Sequence, residues 1–324
     1  MMKKDFLDRN LALETVRVTE IAALASSLHM GKGNEKSADQ SAVNAMRDFL
    51  NELSISGKVV IGEGERDKAP MLFIGEEVGK GGPKVDIALD PLEGTTITAK
   101  GGENALSVLA MGEEGSFLHS PDIYMYKIAY GKNYENLNIN LDEPPEKILE
   151  DFAKFADIKI ENIVVCILDR PRHEDLINKV RRIGARIKLI PDGDVSAVIA
   201  TSVDDSGIDI YMGIGGSPEG VLGAAALRCL GGKIYTKLIF DNDQIYERAQ
   251  SMGIKDKNTI YSTQDLAKGD VMFSATGVTD GTMLKGVRIK NNIARTESVV
   301  MRSKTKTVRY ITAEHDLNKK KILF

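Results

Sequence analysis

Apolar positions along the chain follow two rhythms. Between Leu11 and Leu28 they recur at helical spacing, with Leu11, Val18, Ile21, Ala25 and Leu28 on one face, which predicts an amphipathic helix lying on a sheet. Gly31-Lys32-Gly33 ends that helix. A second is expected to open at Ser37, capped by its hydroxyl with Gln40 three residues on, and to bury Ala42, Met46, Phe49 and Leu53. Asp39 then lies in its first turn. Strand-like runs follow at 58–61, 84–89, 105–110 and 123–130. Helices first and strands close together is the order of an α+β half.

Past the acidic, proline-containing stretch 142–146 and a helix at 147–155, the rhythm becomes strict alternation. Strands at 163–168, 186–190 and 208–211 are each followed by a helical pattern, at 174–183, 195–202 and 219–230, which reads as a doubly wound, parallel α/β half. Segments 298–302 and 308–311 flank Ser303-Lys304-Thr305-Lys306-Thr307 and predict a hairpin. Two domains are expected, 1–158 and 159–324, with the last strands able to pack back on the first.

Composition narrows the function classes. The 324 residues carry 43 Lys and Arg against 47 Asp and Glu, a net charge of −4, so no concentrated positive field is available for nucleic acid or an anionic membrane. Cys166 and Cys229 cannot build a disulfide framework, and no stretch approaches the ~20 apolar residues of a bilayer span, so a soluble, cytoplasmic chain is expected. No P-loop, Gly-x-Ser-x-Gly elbow or His-Glu-x-x-His motif occurs, and His29, His119, His173 and His315 share no ligand spacing. The run Lys319-Lys320-Lys321 reads as a solvated tail.

What remains is a set of polar strand ends. The strands of the second half run into Asp169-Arg170-Pro171-Arg172-His173, Pro191-Asp192-Gly193-Asp194 and Gly213-Ile214-Gly215-Gly216-Ser217-Pro218-Glu219-Gly220. Carboxyl ends of strands are where open α/β sheets bind ligands, and the helix starts there suit phosphate. The first half supplies acids. Glu63 and Glu65 share one side of a strand end, and in Asp90-Pro91-Leu92-Glu93-Gly94-Thr95 the Asp90 and Glu93 carboxylates and the Leu92 carbonyl could meet on one cation. Asp39 is a further candidate. These acids either cap turns or gather round a hard cation such as Mg²⁺ or Mn²⁺.

The segments Ile61-Gly62-Glu63-Gly64-Glu65, Ala69-Pro70-Met71, 86–95, Ser120-Pro121-Asp122, Pro171-Arg172-His173, 190–194, 213–220 and 273–277 together resemble the class II, GlpX-type fructose-1,6-bisphosphatases of bacteria. Residues 90–95 also resemble the signature of the lithium-sensitive phosphatases, which include the inositol monophosphatases. The resemblance implies a two-domain α/β and α+β chain, a layered α-β-α-β-α sandwich. It also implies hydrolysis of the 1-phosphate of fructose 1,6-bisphosphate to fructose 6-phosphate, a step of gluconeogenesis. It implies two divalent ions, Mn²⁺ or Mg²⁺, one on Asp39 and Glu63 and a second on Asp90, Glu93 and Glu219, with Thr95, Glu63 and Asp90 carrying the catalysis and Thr95 positioning the water. Substrate contacts carried over are Glu93, Gly94, Thr95, Tyr124, Arg170, Pro171, Arg172, Asp192, Gly193, Asp194 and Gly216. A homodimer or homotetramer is implied as well. Two departures stand out: Asn34-Glu35 replaces the family's Asp-Lys pair, and Tyr126 stands where an acid is common. Sedoheptulose 1,7-bisphosphate, an inositol phosphate, and a sensor that binds a sugar phosphate without cleaving it are the alternatives.

Overall fold

The computed structural model describes residues 11–64 and 71–320. In chain order the elements are α1 (Leu11–Ser27), α2 (Glu35–Leu50), β1 (Ser56–Ile61), β2 (Glu77–Val78), β3 (Lys84–Glu93), α3 (Thr95–Lys100) and β4 (Leu106–Glu113). Then follow β5 (Tyr124–Tyr130), α4 (Pro145–Ala156), β6 (Val164–Leu168), α5 (Glu174–Arg182), β7 (Arg186–Ile190), α6 (Asp194–Ala200), β8 (Ile210–Gly216) and α7 (Ser217–Leu230). Last come β9 (Lys233–Leu238), α8 (Asp243–Ser251), β10 (Ile260–Ser262), α9 (Thr263–Leu266), β11 (Val271–Gly277), β12 (Arg288–Lys290), β13 (Ile293–Arg302) and β14 (Thr307–Asp316). Two sheets and nine α-helices among the described residues make a mixed α/β chain, in keeping with the expected layered class.

Two compact units result, one from segments 1–118 and 268–324, the other from 119–267. This differs from the division expected at residue 158. Strand β5, placed by sequence order in the first half, pairs antiparallel with β8 and β9, strands that come 80 residues and more later, and so belongs to the second unit. Strands β11 to β14 return to the first.

In the first unit the sheet runs β12-β13-β11-β4-β3-β1-β2, with β14 paired along the whole of β13. The predicted hairpin is present and longer than expected. Helix α1 is buried nearly all round, and two of its polar residues meet the sheet: the Thr15 hydroxyl lies 2.6 Å from that of Ser274 and the Thr19 hydroxyl 2.8 Å from that of Thr276. A buried hydroxyl needs such a partner, so these pairs fix the helix on β11 without leaving an orphan polar atom.

Helix α2 starts two residues before the expected Ser37. Its cap is Asn34, whose Oδ1 accepts the Ser37 N–H at 3.0 Å, and Asp39 therefore lies beyond the first turn. The residue that departs from the family pattern thus has a local task. Asn34→Ala is expected to lower stability by about 1 kcal/mol in urea unfolding. An unchanged midpoint would show that the cap contributes nothing.

The second sheet runs β10-β9-β5-β8-β6-β7. Only β6, β7 and β8 form the expected parallel block, with β6 between its two neighbours. Insertion of β5 between β8 and β9 makes the sheet mixed. One face buries Ile128, Tyr130, Ile210 and Met212 against Leu149 and Phe152 of α4 and Val180 of α5. Since α5 connects β6 to β7 on one side while β8 lies on the other, the strand order reverses beside β6, and a crevice opens there at the carboxyl ends.

Candidate active site

That crevice is present in the second unit as a cleft of about 420 Å³. Its walls include Tyr124, Arg170, Arg172, Asp192, Asp194, Gly216 and Glu219, seven of the residues expected from sequence. Pro171 and Gly193 adjoin it by holding their neighbours: Pro171 opens the tight turn after β6, and Gly193, at φ +83°, lets the chain turn into α6. Asp122, Asp241 and Ile245 also line it. Asp241 and Ile245, which flank the Asn242 cap of α8, belong to a stretch in which the sequence offered no motif.

Three side chains, Arg172, Arg170 and His173, brace the wall. Arg172 donates from Nε and Nη2 to the Ile214 carbonyl at 3.0 and 2.9 Å, and its guanidinium lies 4.7 Å from the centre of the Tyr124 ring. Arg170 reaches Asp192 at 4.0 Å, a loose and half-exposed contact. His173 is buried rather than on the surface: Nε2 accepts the Ile214 N–H at 2.7 Å, so Nδ1 carries the proton donated to the Leu168 carbonyl, also at 2.7 Å. Burial, reinforced by Arg172 and Arg170, holds its pKa below the usual imidazole range, which keeps the ring neutral as one accepted and one donated hydrogen bond require.

Beneath the cleft lies a set of buried charges. Lys127 is fully buried and donates to Asp194 Oδ2 at 2.7 Å, and the Tyr211 hydroxyl donates to the same oxygen at 3.2 Å. Glu219 keeps one oxygen, Oε2, shut off from solvent with no hydrogen-bond partner. Burial first, then the Asp194 charge, push its carboxyl up to about 7, with Lys127 acting the other way. The glycines of β8 are what make this packing possible. A Cβ on Gly215 would lie 2.1 Å from Asp194 Oδ2, and one on Gly216 the same distance from Glu219 Oε2. Gly213 to Gly216, read from sequence as part of a turn, are strand residues whose missing side chains leave room for carboxylates.

The remaining expected residues belong to the first unit. Asp90 does not end its strand: β3 continues to Glu93 through a register shift opposite β4, where Pro91 is tolerated, and Asp90 Oδ1 accepts the Leu92 N–H at 3.0 Å. Glu93 is buried, Gly94 takes φ +89°, and Thr95 opens α3. Glu63 follows β1, its N–H donating to the Leu72 carbonyl at 3.0 Å. Asp39 is half-buried, and burial raises its pKa above the usual carboxylate value. Asp86 accepts the Gly115 N–H at 2.7 Å in a structural turn. Glu65, Ala69 and Pro70 lie outside the described residues. Among the described residues no three His, Cys, Asp or Glu side chains are gathered into a ready metal cage. The donor chemistry fits a hard divalent ion all the same: the candidates offer oxygen only, and Glu219 Oε2 is a buried anionic oxygen lacking a proton donor.

A family model described as bacterial fructose-1,6-bisphosphatase, glpX-encoded, matches residues 9–315. The chain belongs to that family. Among its relatives, a protein of Synechococcus sp. (strain JA-3-3Ab) is 43% identical over 335 residues, covering 95% of this chain and 96% of the relative. One from Gloeobacter violaceus (strain ATCC 29082 / PCC 7421) is 40% identical over 338 residues, covering 96% and 97%. Both are named D-fructose 1,6-bisphosphatase class 2/sedoheptulose 1,7-bisphosphatase. The fructose-bisphosphatase activity of the family, a phosphoric monoester hydrolysis, is the activity of this chain. No helix among the described residues is long and apolar enough to cross a membrane.

Proposed function

We propose that the cleft at the carboxyl ends of β6, β7 and β8 holds the sugar bisphosphate, and that the carboxylates expected from sequence as ion ligands bind the divalent ions that the reaction uses. The observation that carries this reading is the joint presence of Arg170, Arg172, Tyr124, Asp192, Asp194, Gly216 and Glu219 on one 420 Å³ cleft. Two guanidinium groups there suit a phosphate dianion, and Arg172, locked by the Ile214 carbonyl and the Tyr124 ring, presents its charge without first losing rotamer freedom. The aspartates accept from sugar hydroxyls. In this reading the 6-phosphate is gripped and the 1-phosphate is the group cleaved.

Asp39, Glu63, Asp90, Glu93 and Glu219 supply the ion ligands, and Thr95 orients the attacking water through its hydroxyl. A divalent ion held by these carboxylates would supply Lewis-acid chemistry, a lowered pKa for water and positive charge to offset that of the phosphate. The chain needs no side-chain nucleophile, and its most deeply placed thiol, Cys166, is pushed up to about 12 by burial. The names of the relatives favour a second substrate, sedoheptulose 1,7-bisphosphate, at the same site. A homodimer or homotetramer in the cytoplasm completes the proposal.

Phosphate release tests it directly. With purified protein, release from fructose 1,6-bisphosphate is expected with Mg²⁺ or Mn²⁺ and not with EDTA, with sedoheptulose 1,7-bisphosphate as the second substrate and inositol 1-phosphate as the control. Saturable binding of the bisphosphate without release under any metal would replace the enzyme by a sensor. Release that survives EDTA would remove the ions from the mechanism.

A further inference from the structure

The lysine under the cleft has no role in the reading above. Lys127 sits on β5 directly opposite Gly213 of β8, with Met125 opposite Gly215, so both side chains project on the face that those glycines leave bare. The side chain runs past Gly220, whose added Cβ would lie 3.5 Å from Lys127 Cε, and ends on Asp194 at the first position of α6. Nothing else would place an ammonium there: the group is fully removed from water, an expensive arrangement for a lysine unless its partner is fixed. The partner is fixed in turn. Asp194 Oδ2 takes both the Lys127 ammonium and the Tyr211 hydroxyl, while the Asp194 side chain lies in the wall of the cleft.

We infer that Lys127 is a positioning residue for substrate binding, acting through Asp194. By anchoring Oδ2 from below it keeps the carboxylate turned so that its remaining acceptor capacity serves a sugar hydroxyl. Tyr126, the departure from the family pattern next to it, points the other way. It packs on the core that includes Ile128 and Phe152, so it has no bearing on the cleft.

The inference rests on the proposed placement of the substrate, so the test separates the two. Lys127→Met, Asp194→Asn and the double variant are compared by KM and kcat for fructose 1,6-bisphosphate, by calorimetric binding of fructose 6-phosphate without metal, and by thermal unfolding. Lys127→Met is expected to weaken fructose 6-phosphate binding and raise KM about tenfold, with kcat changed much less. The double variant is expected to bind no more weakly than Asp194→Asn alone, because the lysine acts through that carboxylate, and to melt above Lys127→Met, because position 194 then no longer buries a carboxylate that has lost its cation. A lysine that only braces the fold would lower the melting temperature and leave KM and binding within twofold, which overturns the inference. Additive losses in the double variant overturn it too, since they would mean direct contact with substrate. If Asp194→Asn itself leaves binding unchanged, the fault lies in the placement of the substrate. Should Lys127→Met fail to fold, Lys127→Gln, which keeps an N–H for Asp194, carries the same comparison.

Discussion

Replacing Glu219 by glutamine is expected to remove turnover, by about a hundredfold or more, while making the metal-free protein more stable at pH 8. The two effects have one cause. Glu219 places an oxygen in the interior with no donor to meet it, beside the charge of Asp194, and its carboxyl is pushed up to about 7. A carboxyl whose pKa is higher folded than unfolded binds more protons in the folded state, so stability is full below about 4.5 and is lost as pH rises through about 7. The loss amounts to at most about 3 kcal/mol. In EDTA the wild-type melting temperature should therefore fall between pH 5 and 8, and Glu219→Gln should flatten that slope. Added Mn²⁺ should restore the wild type and do little for the variant, because the neutral amide is the poorer ligand. Wild-type turnover by Glu219→Gln at saturating Mn²⁺ would take Glu219 out of the ion set, and an unchanged pH slope would deny that its burial is uncompensated.

What could be read from the sequence divides along physical lines. Helix α1, the β6 to α7 alternation and the β13–β14 hairpin depend on local periodicity and turn chemistry, and each was legible from the residues themselves. The cleft residues were legible because topology forces the carboxyl ends of parallel strands to one rim, whichever helices connect them. Failures came where a partner distant in sequence decides. Strand β5 has an unremarkable apolar pattern, and only its pairing with β8 and β9 assigns it to the second unit. Gly213 to Gly216 look like a turn because glycine serves turns, yet here the missing side chains make room for Lys127, Asp194 and Glu219. The place of Lys127 beneath the cleft is set by its register opposite Gly213, which its own sequence neighbours do not reveal. Ser37 with Gln40 and Asn34 with Ser37 are equally good caps on paper, and backbone geometry chose the second.

Gly216→Ala is expected to cost about a hundredfold in kcat/KM, although it adds one methyl group at a φ of −65° that alanine adopts freely. The backbone is not the obstacle. The added Cβ would lie 2.1 Å from Glu219 Oε2, well inside contact distance, and 3.1 Å from Oε1, so the whole carboxylate must move. An exposed side chain would swing away at little expense, but Oε2 is enclosed, and any shift carries a charge toward apolar neighbours or out of the cleft. The variant should therefore need more Mn²⁺ for half-maximal rate and should lose the pH slope of metal-free stability that Glu219 produces. Gly216→Ala combined with Glu219→Asp supplies the check, since a side chain shorter by one methylene can retreat from the new methyl. Partial recovery of Mn²⁺ affinity in the double variant, relative to Glu219→Asp alone, is expected. A Gly216→Ala protein with unaltered rate and metal requirement would show that the carboxylate relaxes freely, and that the glycine serves the substrate's approach to the backbone instead.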